Sequence, residues 1–219
     1  MQVEIFSDVV CPWCYIGKRR FETALASFPH ADDVTVTYRS FQLDPDAPAV
    51  STQTIEQHLA DKYGRSLEQA REMNQRVTEL AARVGLEFHL EKAQRANTFD
   101  AHRLLHLAAA HGVQAALAER LLGAYFTQGV VVSDHVELVE LAVTSGLNRE
   151  DVGAVLAGDD YADQVRADLA LASRFGISGV PFFVFDRTYG VSGAQQTAVF
   201  NDVLDRVWTE THPPETPLS

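Results

Sequence analysis

Apolar and polar positions alternate near both ends of the chain and recur at a helical period through most of its middle. VEIFSDVV (Val3 to Val10) opens with alternation and is rich in β-branched residues, which predicts a strand. In the segment that follows, Pro12 suits a first helical turn, and Phe21, Ala24, Leu25 and Phe28 are spaced for a helix. VTVTYRSFQL (Val34 to Leu43) sets Val34, Val36 and Tyr38 against Thr35, Thr37 and Arg39, a second strand that completes a β-α-β opening. DPDAPAV is a turn-rich exit.

From about Ser51 to Phe175 the pattern is mostly helical. STQTIEQHLADKYG starts on capping residues and ends at Gly64, and SLEQAREMNQRVTELAARVG closes at Gly85. NTFDAHRLLHLAAAHG is expected to start on Asn97 or Thr98 as a cap, and SDHVELVELA on Ser133 without a full capping box. Strand character returns in GVPFFVFDRTYGVSG, two short strands around DRTYG, with Phe182, Phe183 and Phe185 as core residues. AQQTAVFNDVLDRVW predicts a closing amphipathic helix with Val199, Val203 and Val207 on its apolar stripe, and the Pro-rich tail HPPETPLS reads as loose. There is no internal repeat and no low-complexity segment. The order is β-α-β, a helical block, then β-β-α.

Composition narrows the partners. Hydrophobic residues are 46% and charged residues 22% of 219, an ordinary soluble balance with enough apolar side chains for a core. Lys plus Arg is 18 against 30 Asp plus Glu, a net charge of −12 that a nucleic-acid backbone would repel. The short run Lys18-Arg19-Arg20 is expected to be a solvated face. MQVEIFSDVV has neither the basic nor the apolar region of a secretory signal, and no run is long enough to span a bilayer, so a cytoplasmic protein without a membrane partner is expected. There, paired cysteines are more often catalytic or metal-binding than structural.

Both cysteines of the chain lie in DVVCPWCYIGKRR. A C-x-x-C that opens a helix just after a strand is a redox motif with a mechanism. One turn holds the sulfurs within bonding reach, and the helix N-terminus favours a thiolate, which in this setting lowers thiol pKa values from about 8.5 to roughly 3.5–7. Cys11 is then the attacking residue and Cys14 the resolving one. Pro12 fixes the entry of the turn, and Trp13 offers an apolar face beside the reactive sulfur. A structural zinc would want four ligands, and the chain has no second pair. His102 and His106, four apart, lack the Glu of a metalloprotease helix, and no metal is expected. Asp8 is read as a cap of the active-site helix, with proton transfer as its alternative. Pro181 in SGVPFF is at the least a strand starter. GLEFHL (Gly85 to Leu90) either fills core or covers the site.

Together these segments resemble the thioredoxin fold in its DsbA-like form. FSDVVCPWCYIGKRRFE, NTFDAHRLLHLA and GISGVPFFVF in particular resemble the FrnE-like branch of the DsbA family, disulfide oxidoreductases that are often cytoplasmic. The resemblance implies an α/β thioredoxin fold (β-α-β … β-β-α) with a large all-helical insertion. Residues 1–48 plus 176–219 would form a discontinuous thioredoxin-like domain, and 49–175 the insertion. Val180-Pro181 would be a cis-proline loop beside the cysteines whose backbone pairs with an extended substrate. Asn97, Thr98 and His102 would line the cleft between core and insertion, or else serve as a helix cap and a packed histidine. The chain departs from some relatives in having no cysteine outside the motif, so its electron partner must be external.

The implied activity is thiol–disulfide exchange on protein, peptide or small-molecule disulfides, with no resident cofactor and with glutathione as a candidate thiol co-substrate. In a reducing cytosol, reductase or isomerase work is easier to sustain than net oxidation. Two rivals stand beside it. The same architecture resembles kappa-type glutathione transferases and 2-hydroxychromene-2-carboxylate isomerases, which carry a serine where this chain has Cys11. The other rival is a non-enzymatic, redox-gated peptide-binding or chaperone module.

Overall fold

The computed structural model describes residues 1–49, 51 and 53–212. The loose tail expected at the C-terminus lies outside the described residues from 213 onward. Strand β1 (Gln2–Ser7) leads through helix α1 (Pro12–Ser27) to the parallel strand β2 (Thr35–Ser40). At the far end of the chain, β3 (Phe182–Phe185) and β4 (Tyr189–Ser192) form a hairpin, and β3 runs antiparallel to β1, giving the order β2-β1-β3-β4.

The period of two sorts the central strands onto two faces. Val3 and Ile5 lie opposite Phe185 and Phe183, and this face meets Phe21 of α1 and Phe200 of the closing helix α9 (Thr197–Thr211). The rings of Phe183 and Phe200 meet edge-to-face with centroids 4.6 Å apart, a favoured aromatic geometry. Glu4 and Phe6 lie opposite Val184 and Phe182 on the other face, where Phe6 and Val184 pack on Ala172 and Ile177. β1 stops earlier than its apolar run because the chain turns at Asp8, whose carbonyl accepts from the Cys11 amide at 3.1 Å. Val9 is buried in that turn instead. The stripe of α9 is Phe200, Leu204 and Val207, not Val199, Val203 and Val207. Val199 is exposed, since the larger Phe and Leu one position on carry the helix to the core.

Between β2 and β3 lie α2 (Ile55–Tyr63), α3 (Leu67–Ala82), α4 (Phe99–Ala110), α5 (Gln114–Gly123), α6 (His135–Thr144), α7 (Arg149–Ala157) and α8 (Ala162–Arg174). Thr54 with Gln57 and Ser66 with Gln69 form reciprocal capping boxes at α2 and α3, and Gly64 takes the left-handed conformation that ends α2. The cap of α6 is Asp134, not Ser133. Its carboxylate accepts from the amides of Val136 and Glu137, while the Ser133 hydroxyl donates to Ala49. Leu104, Leu117, Leu121 and Leu138 share one continuous core with Val3, Ile5 and Phe183. Leu86, Phe88 and Leu90 of GLEFHL are buried in it too, with Phe88 stacked on Phe126 at 4.7 Å. Among the described residues no helix is long and apolar enough to cross a membrane.

The basic run of α1 is not a solvated face. Lys18 is 3% exposed, with its ammonium on Glu22 and Glu119, and Arg20 is buried with a guanidinium nitrogen on the Ala194 carbonyl. Glu119 also accepts from Tyr15 and Arg19, so α5 supplies the charge that lets a cationic stretch of α1 pack inside.

Gly17 sets how closely α1 approaches the loop before β3. A Cβ there would lie 2.9 Å from Cγ of Pro181 and 3.4 Å from Ala194. Gly17→Val is therefore expected to lower stability by about 1–3 kcal/mol through overpacking. Urea denaturation reads this as a lower midpoint at unchanged slope. An unchanged midpoint would show that the Pro181 loop yields freely.

Candidate active site

Two connections build the site: β1 to α1, and α8 to β3. Cys11 is the N-cap residue of α1 with extended backbone, Pro12 occupies the first helical position, and the Cys14 amide donates to the Cys11 carbonyl at 3.0 Å. Pro12 loses nothing there because the first helical amides have no intrahelical acceptor. Both cysteines are free thiols. They are not equivalent. Cys11 faces a cleft, whereas Cys14 is 2% exposed, and burial, then the neighbouring Cys11 thiol, push its pKa well above the ordinary thiol value. The first sulfur is placed to meet a substrate and the second is held as a protonated thiol behind it.

Across from the cysteines the Val180-Pro181 bond is cis, and the Cys11 thiol donates to the Val180 carbonyl at 3.5 Å. The Pro181 carbonyl accepts from Gly193 at 2.8 Å, which anchors the loop to the end of β4. Pro181 immediately precedes β3, so its missing amide costs the sheet no ladder bond. Trp13 is 40% exposed at the mouth of the cleft.

The cleft has a volume of about 300 Å³. Cys11, Trp13 and Val180 form one wall, and Ile55 and Leu59 of α2 with Asn74 of α3 line the other. A π-helical turn, Ala124–Gln128, continues α5, and its Tyr125 and Phe126 both line the cleft. Such turns recur at functional sites because the extra residue re-aims consecutive side chains.

Asn97, Thr98 and His102 do not line this cleft. Asn97 donates to the carbonyls of Pro45 and Ala47 and accepts from the Phe99 amide, which fastens the exit of β2 to the start of α4. Thr98 is buried beside Gln42. His102 is buried with Nε2 at 3.3 Å from Asp8, a packed histidine, while Thr98 at the N-cap position of α4 makes no side-chain capping bond. Asp8 does not cap α1. One oxygen accepts from the Leu43 amide at 2.8 Å and the other faces His102, so it locks the turn before Cys11 to the segment after β2. The partners of Asp8 lie 35 and 94 residues away, beyond what a local capping pattern reveals. The cleft residues the sequence reading missed include Tyr125 and Phe126 of the π-helical turn and, on α2 and α3, Ile55, Leu59, Lys62, Met73, Asn74 and Val77. The one signal for those on α2 and α3 was the sparse apolar content of these helices.

Residues 2–205 match the DSBA-like thioredoxin domain family. The chain is 48% identical to a probable DsbA oxidoreductase from Streptomyces coelicolor, with 100% of this chain and 93% of that one covered and a TM-score of 0.91. Two remoter structures share the fold. The 2-hydroxychromene-2-carboxylate isomerase is 13% identical, with 99% of this chain and 100% of that one covered and a TM-score of 0.70. The cytosolic disulfide reductase DsbM from Pseudomonas aeruginosa with GSH is 18% identical, with 96% and 98% covered and a TM-score of 0.61. One fold thus hosts a reductase and an isomerase, and the choice between them rests on side chains. With a match that spans nearly the whole chain, this protein belongs to the DsbA-like thioredoxin-domain oxidoreductases.

Proposed function

We propose that the protein is a thiol–disulfide oxidoreductase in which Cys11 attacks a substrate disulfide and Cys14 resolves the mixed disulfide. The observation that carries this is the asymmetry of the pair. Cys11 caps a helix and lines a cleft beside the Val180 carbonyl, while Cys14 is buried with its proton held. Val180-Pro181 positions the substrate, and Pro12 and Trp13 shape the approach. The electrons reside in the cysteine pair, so no bound cofactor is required, and glutathione serves as thiol co-substrate. The exchange chemistry itself is the same for a protein disulfide and a small-molecule disulfide, so access to Cys11 decides between them. A cytoplasmic setting suits a chain whose two cysteines both lie in the redox motif.

The test is the redox equilibrium of Cys11/Cys14 against glutathione, followed by tryptophan fluorescence, since Trp13 lies between the two cysteines in the sequence. A reversible two-electron transition is expected within the range of related dithiols, roughly −120 to −270 mV. No transition across that range would refute the proposal.

A further inference from the structure

Resting on the oxidoreductase reading above, we infer that the substrate is a low-molecular-weight disulfide bearing an anionic group, held in the cleft between Cys11 and the α2–α3 pair.

Access comes first. Cys11 is only 3% exposed, yet it lines a cleft of about 300 Å³. Ile55, Leu59, Met73 and Val77 of α2 and α3 form the facing wall. A disulfide on a folded protein would have to carry its own backbone under that wall, whereas a small disulfide fits the cleft as it stands.

Charge comes second. In a chain of net charge −12, two cations, Lys62 and Arg95, line this opening beside one carboxylate, Asp44, and burial holds His58 there toward its neutral form. Arg95 is committed to Asp44 through two bonds of 2.6 and 3.1 Å, and His58 lies 3.7 Å from the same carboxylate. Lys62 lines the cleft too and joins no ion pair among the described residues. A cation in the last turn of α2 is favoured by the helix dipole, but that does not require it to face the cleft. There it offers an unspent charge to a carboxylate.

Polarity comes third. Asn74 of α3 is 9% exposed, lines the cleft, and its Nδ2 has no hydrogen-bond partner among the described residues. A buried amide without an acceptor is destabilising, and an acceptor on the occupant would satisfy it.

The chemistry balances. Cys11 gives up its proton to solvent, its sulfur forms a bond to one sulfur of R–S–S–R, and the R–S–S–R bond breaks, releasing one RS⁻. Cys14 then gives up its proton to solvent and attacks Cys11 Sγ, forming the Cys11–Cys14 disulfide and releasing the second RS⁻. The substrate gains two electrons, the cysteine pair loses two, and an external dithiol restores the pair.

The experiment compares single turnovers of the reduced protein with oxidised glutathione (anionic), cystamine (cationic) and insulin (a protein disulfide). It is run on wild type, Lys62→Glu and Asn74→Leu. Wild type is expected to react fastest with oxidised glutathione. Lys62→Glu should slow that reaction roughly fivefold, the upper size of one exposed charge pair, and speed cystamine. Asn74→Leu should weaken saturation by oxidised glutathione roughly two- to tenfold, one lost hydrogen bond, with little change in the limiting rate. It should also make the free protein more resistant to urea, which a merely structural asparagine would not combine with weaker saturation. Insulin reacting as fast as oxidised glutathione, or a glutathione-to-cystamine ratio unmoved by Lys62→Glu, overturns the inference and leaves the oxidoreductase reading intact. Failure of all three disulfides to oxidise the wild-type pair overturns that reading, and the inference with it.

Discussion

Cys14→Ser is expected to turn the protein from a turnover catalyst into a trap. Given a disulfide substrate, the variant should accumulate about one equivalent of a Cys11 mixed disulfide, visible as a mass increase that dithiothreitol removes. Its steady-state rate should fall by at least about a thousandfold, toward uncatalysed exchange. Cys11→Ser should lose the rate without trapping anything.

The geometry explains the difference. Cys11 faces the cleft and can be attacked or attack from outside, whereas Cys14 is enclosed. Burial and the adjacent Cys11 raise the Cys14 pKa well above the ordinary thiol value, which favours the thiol form that the proposed mechanism requires until a mixed disulfide has formed on Cys11. The same variants separate the rivals. A glutathione-dependent isomerase or transferase would keep turnover in Cys14→Ser. A non-enzymatic binding module would keep client binding in the double variant Cys11→Ser/Cys14→Ser and show no exchange in wild type. Intact turnover in Cys14→Ser would remove the resolving role from that residue and return the isomerase chemistry to first place.

What the sequence revealed and what it hid divide along the range of the contacts. Cys11, Pro12, Trp13 and Cys14 sit within one helical turn, so spacing alone announced them. Pro181 was legible because an apolar strand follows it at once. Lys18, Arg19 and Arg20 misled, because three cations in a row read as a solvated face. The carboxylate that takes Lys18 and Arg19, Glu119, arrives about a hundred residues later, and the carbonyl that takes Arg20 belongs to Ala194. Asn74 and Lys62 were invisible for the opposite reason. α2 buries only Ala60, and α3 only Ala70, Asn74 and Ala81, so both helices look like ordinary surface helices until the cleft they cover is seen.

The largest expected stability effect lies at Asp168. This residue of α8 is 3% exposed and holds three partners on the sheet side of the molecule. One oxygen meets Arg39 at 3.1 Å, and the other accepts from the Ser40 amide at 2.9 Å and meets His106 Nε2 at 3.1 Å. Arg39 in turn pairs with Glu4, and Glu4 with Arg187. The chain of charges thus runs from the β3–β4 turn across β1 and β2 to α8, binding the helical block to the edge of the sheet. The Ser40 amide belongs to the edge strand, so the carboxylate supplies an acceptor that no neighbouring strand can. Asp168→Ala is expected to cost about 3–5 kcal/mol, because it strands the buried Ser40 amide and takes from Arg39 one of its two carboxylates, leaving it Glu4 alone. That is a large share of a typical total of about 5–15 kcal/mol. Asp168→Asn keeps an acceptor for Ser40 and gives up only the charge, so it should cost distinctly less. Urea denaturation of both variants checks the order. A loss below about 1 kcal/mol for Asp168→Ala, the level of an exposed pair, would mean that water takes the place of the carboxylate. The helical block would then be held to the sheet by its shared core and by Gln114 of α5, whose amide bonds both backbone groups of Tyr38 in β2.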